Sequence, residues 1–234
     1  MPAESSHANV VAGHAGSIAV PPHALRHHFA DLEQQRETAT LGMWVFLITE
    51  VMFFGGMFAA YLVYRVAYPV AFQEASQHMA FLAGTVNTAV LICSSLFVAC
   101  AVHAAQTGER KQIVFFLILA LLLGMVFLGI KAVEYHDHWV EHTVPGASFQ
   151  FQGTDPVHSE VFFALYFVMT GFHALHMLIG VGLVAVIIYF AWQGRYSPAY
   201  HTPVENVGLY WHFVDIIWIF LYPLLYLISH KHIY

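Results

Sequence analysis

Six residues in this chain combine chemical capability with an apolar setting: Glu50, His103, His173, His176, His212 and Asp215. Glu50 stands in MWVFLITEVMFFGG (43–56), a run with no other charge. A carboxylate in hydrocarbon is costly, so burial favours the protonated acid. Such a residue marks either a proton or gas pathway or a hydrogen bond that holds a neighbouring helix. His212 and Asp215, three apart in YWHFVDIIWIFLYPLLY (210–226), share a helical face and are placed to bond each other or the fourth span. His173 and His176 are also three apart, a spacing that serves a metal, a haem or interhelical hydrogen bonds. A haem with two axial histidines needs a match on another helix, and only His103 and His212 in the apolar runs offer one. Hydrogen bonding in a bundle interior is therefore the expectation for His103, His173, His176, His212 and Asp215. Lys131 and Glu134 read as an ion pair at the surface end of a helix, with the lysine snorkelling. No phosphate loop, nucleophile elbow or HExxH motif occurs, so neither a catalytic residue nor a metal site is expected.

The elements that position these groups follow from composition. The 234 residues are 59% hydrophobic and 9% charged, whereas about a quarter of a soluble domain is charged. Five apolar runs, at about 41–64, 79–105, 113–133, 160–192 and 207–229, each approach or exceed the ~20 residues that a spanning helix needs. The expected fold is all-α, an integral membrane bundle of five transmembrane helices. Residues 1–39 form a polar N-terminal tail whose opening stretch is mobile or held by a partner, and residues 40–234 form the membrane domain. No apolar segment precedes Leu41, so the first span is expected to direct insertion. Gly55, Gly56, Ala59 and Ala60 leave room for another helix. Cys93 and Cys100, on one face of one run, cannot bridge each other and read as small buried residues.

Lysine and arginine set the orientation. Arg26, Arg36, Arg110, Lys111 and Arg195 fall on the side of the N-terminus, against Arg65 and Lys231 on the other, with Lys131 at a helix end. The positive-inside rule then predicts a cytoplasmic N-terminus and a periplasmic C-terminus.

In order along the chain, several motifs resemble one family. They are Ile48-Thr-Glu50-Val-Met-Phe-Phe, Val86-Asn87-Thr88 with Ser94-Ser95, His103 with Gly108-Glu109-Arg110, Ala132-Val133-Glu134-Tyr135, Phe167-Val-Met-Thr-Gly171-Phe-His173-Ala-Leu-His176, and Glu205…Gly208-Leu-Tyr210-Trp-His212-Phe-Val-Asp215. From about Arg36 onward the sequence is similar to subunit III of haem-copper terminal oxidases, in the short five-helix bacterial form. Two helices that open the longer form are missing, and Leu209 stands where the family commonly has Trp. The resemblance implies a subunit of a cytochrome c oxidase with no haem or copper of its own, those centres belonging to partner subunits I and II. It also implies packing on subunit I, support of proton uptake and enzyme lifetime, bound phospholipid, contacts with further respiratory complex subunits, and a bacterial inner-membrane location. No nucleic-acid partner is expected. The alternatives are subunit III of a ubiquinol oxidase, a stand-alone transporter with Glu50 as proton carrier, and a membrane cytochrome holding haem through His173 or His176.

Overall fold

The computed structural model describes residues 29–227, which form six helices. Five are long and apolar enough to cross a membrane: α1 (Leu32–Ala67), α3 (Phe81–Thr107), α4 (Arg110–Val140), α5 (Pro156–Trp192) and α6 (Thr202–Tyr226). The sixth, α2 (Pro69–Ser76), is a short helix in the first connector. The protein is thus all-α and multi-pass. Among the described residues the only extended pairing is an isolated bridge between Ser197 and Tyr200.

Each helix end has a local cause. Asp31 caps α1, its carboxylate accepting from the Gln34 amide at 2.8 Å. That cap starts the helix at Leu32, so the polar residues 32–39 of the expected tail form its first turns. Pro69 opens α2, where its fixed φ and missing N–H cost nothing. Gly108, at φ 80°, ends α3, a left-handed conformation that favours glycine. Asp155 caps α5 through the His158 amide, with Pro156 in the first turn. The helix α4 runs seven residues beyond the predicted Val133, through the polar stretch to Val140.

The bundle places α6 between α1, α3 and α5, and α4 closes the ring between α3 and α5. One tight joint is Trp211 on α6, fully buried. A Cβ on Gly124 of α4 would sit 2.9 Å from the indole, and one on Gly180 of α5 would sit 3.2 Å from it. The indole N–H donates to Ser94 Oγ at 3.0 Å, and Ser94 in turn donates to the Ala120 carbonyl at 3.1 Å. One side chain therefore fixes four helices by close packing and by hydrogen bonds that have no competing water. Gly55 and Gly56 do not play this part: a Cβ at either meets nothing within 4 Å, so no helix of this chain approaches there. Cys93 is exposed and Cys100 half-buried, a correction to their expected burial. In hydrocarbon an outward-facing thiol loses no solvation.

Connectors alternate between the two ends. At one end Gly108 packs on Pro198, Arg110 Nε donates to the Ala191 carbonyl at 3.0 Å, and Arg36 pairs with Glu205 at 3.8 Å. At the other, Thr154 donates from both its amide and its hydroxyl to Glu74, and His158 stacks on Tyr68.

Candidate functional site: buried polar groups within the bundle

Glu50 meets His176 across α1 and α5. Glu50 Oε2 lies 3.1 Å from His176 Nε2, while Nδ1 of the same ring lies 2.8 Å from the Phe172 carbonyl. A carbonyl only accepts, so Nδ1 carries a proton. The contact at Nε2 then needs one further proton, held either as a carboxylic acid donating to the ring or as an imidazolium donating to the carboxylate. Either form is neutral overall, which suits a low-dielectric setting. The side chains retain 19% and 11% exposure, so the pair sits just inside the bundle surface. The edge of Phe54 and the Tyr210 hydroxyl, which donates to the His176 carbonyl, hold the histidine in place.

His173 is fully buried between the rings of Phe127 and Trp218, and neither ring nitrogen has a hydrogen bond among the described residues. It does not join His176 in a common site. Haem ligation finds no support in this geometry, because one ring is enclosed by aromatics and the other is committed to Glu50 and Phe172. Among the described residues no three His, Cys, Asp or Glu side chains converge to hold a metal.

Lys131 and Glu134 overturn the surface reading. They are 3% and 5% exposed and 3.1 Å apart. Lys131 Nζ also donates to the hydroxyls of Tyr166 (3.0 Å) and Tyr226 (2.9 Å), and both hydroxyls donate to Glu134 Oε1. The rings of Tyr135, Tyr166, Trp218 and Tyr226 lie 4.9–5.6 Å from the ammonium. The reason is the face they occupy, which continues the buried stripe of Ile113, Leu117, Ala120, Gly124 and Phe127 on α4 towards Tyr166 and Tyr226. Tyr166 and Tyr226 had no signal in the sequence beyond being aromatic residues in spans.

His212 and Asp215 do not pair. His212 Nδ1 lies 2.6 Å from Ser95 Oγ on α3. Asp215 is 3% exposed, and neither carboxylate oxygen has a hydrogen bond among the described residues. The shared face was legible, but α3 offers a hydroxyl in better position than the turn above. His103 also departs from the expected network. It is exposed near the end of α3, off the buried stripe of Leu91, Ser94, Val98, Ala101 and Ala105.

Beside α6 runs a trough. Its outer part, about 800 Å³, lies between α1 and α3 with Arg36, Glu37, Trp44 and Glu205 at its walls. Its inner part, about 390 Å³, is walled by Ile92, Leu96, Ile216 and Ile219 and includes Asp215. Ala99 and His212 line both.

The profile of the cytochrome c oxidase subunit III family matches residues 27–230. The chain belongs to this family. Among similar proteins, cytochrome c oxidase subunit 3 of Thermostichus vulcanus is 35% identical over 190 residues, covering 81% of this chain and 87% of that protein. The subunit 3 of Corynebacterium diphtheriae is 34% identical over 192 residues, 81% and 88% of the two chains. That of Gallus gallus is 38% identical over 140 residues, 60% of this chain and 48% of that protein. As a subunit III, the chain is one component of an oxidase complex in a membrane. Glu50 with His176, Lys131 with Glu134, and His212 with Asp215 all lie within the matched region.

Proposed function

We propose that this subunit III serves a cytochrome c oxidase that reduces oxygen to water and contributes to a proton gradient. The haem and copper centres belong to subunits I and II, and this chain packs on subunit I without a redox centre of its own. It supports proton uptake and enzyme lifetime through turnover, binds phospholipid, and meets further respiratory subunits. It resides in a bacterial inner membrane with its N-terminus in the cytoplasm. The observation that carries this reading is the Glu50–His176 contact within a chain matched to the family over residues 27–230. A carboxyl and an imidazole there share one proton just inside the bundle surface.

Purification of the tagged chain from its native membrane in mild detergent tests the proposal. Haem-bearing partners should co-purify, and the preparation should consume oxygen with reduced cytochrome c. Oxygen uptake with ubiquinol alone would point to a ubiquinol oxidase. An isolated chain carrying haem would indicate a membrane cytochrome, and one free of haem and partners a stand-alone transporter.

A further inference from the structure

The connector between α4 and α5 is tied down by titratable residues of three helices. Thr154 is held by Glu74 of α2, the Gly146 amide donates to Glu160 of α5 at 3.0 Å, and Thr143 is held by His138 of α4. Only the last tie is buried, with His138 3% and Thr143 4% exposed. The Thr143 amide (3.0 Å) and hydroxyl (3.2 Å) both donate to the His138 carbonyl, and the same Oγ1 lies 2.8 Å from His138 Nδ1. A hydroxyl has one proton and the carbonyl takes it, so Nδ1 donates to Oγ1. Nε2 is then the basic atom of a ring that packs against Phe163, Tyr166 and Phe167, with centroids at 5.8, 5.4 and 5.8 Å.

Tyr166 in turn bonds both Lys131 and Glu134, so the His138–Thr143 tie closes the outer end of the buried ion pair. The chain folds back over it at His142, the one non-glycine with positive φ (55°) among the described residues, a conformation that costs energy in a residue with a Cβ. Phe149 and Phe151 lay the rest of the connector on Phe163.

The charged groups acting on His138 are Lys131, Glu134, Asp137 and Glu141 of α4, with the Tyr166 phenol facing it from α5 and the exposed His142 beside it in the connector. Glu134 is already engaged by Lys131 and two phenols, while Asp137 and Glu141 stand out in solvent. A second proton on the His138 ring would therefore be a buried cation without its own counter-charge, whereas water accommodates it freely.

We propose that the connector 141–155 is an acid-released lid: protonation of His138 from the side opposite the N-terminus frees Thr143 and admits water to the Lys131–Glu134 pair. The lid rests on the fold alone, so its failure leaves the oxidase assignment intact.

Hydrogen exchange read by mass spectrometry on the whole purified oxidase tests it, comparing about pH 7.5 with about pH 5.5 after division by the intrinsic exchange rate. The lower value is one unit below the ordinary histidine range, so protection of peptides within 138–150 should fall about tenfold while that of 113–127 holds. His138→Asn keeps an N–H where Nδ1 stands but takes no proton, and it should show no response to pH. Glu74→Gln and Glu160→Gln should keep the response, since neither carboxylate changes charge between those values. Equal wild-type protection at the two values overturns the lid. A response that survives in His138→Asn, or vanishes in either glutamine variant, overturns His138 as its release.

Discussion

Glu50 and His176, 126 residues apart, meet at 3.1 Å with a single proton shared between them. Glutamine preserves the shape of Glu50 and can donate its amide N–H to His176 Nε2, but it cannot release a proton. Glu50→Gln should therefore assemble at normal levels and begin turnover normally, then lose activity or proton release as cycles accumulate. Oxygen consumption and proton release over many turnovers in reconstituted vesicles decide the point. An unchanged time course would make the pair a structural joint.

Lys131 and Glu134 are expected to be interdependent. Removing either charge strands the other, a loss of about 3–5 kcal/mol, whereas removing both leaves no buried charge and an amide carbonyl at position 134 to which the two tyrosine hydroxyls still donate. Lys131→Met and Glu134→Gln should each lower the amount of folded chain sharply, and the double variant should recover much of it. Denaturant midpoints in detergent for the four proteins give the coupling. Additive losses would contradict mutual neutralisation.

Gly124 and Gly180 should tolerate no larger residue. Gly124→Val drives a side chain into Trp211 and should cost at least about 1–3 kcal/mol, the usual range for overpacking. Gly129→Val on the same helix enters open space and should leave the isolated chain within about 0.5 kcal/mol. Thermal unfolding of the two variants side by side checks the contrast.

Acid should loosen the loop before α5. The Thr154 hydroxyl and amide hold the Glu74 carboxyl below its ordinary value. A carboxyl depressed in the folded state stabilises fully above its unfolded value, and that contribution is lost as pH falls through the depressed one. Proteolysis or hydrogen exchange in residues 141–155 should rise below the ordinary glutamate range. Glu74→Gln should flatten that dependence.

A cysteine at Thr107 should react with an impermeant label from the cytoplasmic side, since Thr107 lies at the end that carries Arg36, Arg110 and Arg195. Reaction from the periplasmic side would invert the orientation.

Five spans could be read from the sequence because a bilayer core imposes length and apolarity on any helix that crosses it. The helix ends could not, because nothing forbids a polar stretch such as residues 134–140 from continuing a helix past the hydrocarbon. The burial of Lys131 and Glu134 was hidden because it depends on α4 turning their face to Tyr166 on α5 and Tyr226 on α6. The eight residues of α2 gave no signal because they are too short to span, and they are held by packing of Phe72 on Tyr61 and Phe162. At the site, Glu50, His176 and His212 were each visible as polar residues in apolar runs. Their partners were not. Whether α1 adjoins α5, or whether Ser95 on α3 lies opposite His212, depends on the order of helices around the bundle, which periodicity within one helix does not encode.

Trp211, Trp218 and Tyr226 all belong to α6, the last of the six described helices in chain order. Until it arrives, the first four spans lack the indole that fills the gap between Gly124 and Gly180, and Glu134 lacks one of its two phenolic donors. The nascent protein therefore enters the lipid with an open seam and an ion pair short of one phenolic partner, both completed in one step when α6 is added. Insertion of α6 is what completes the described bundle, so a product truncated before Thr202 is a ready target for membrane proteases.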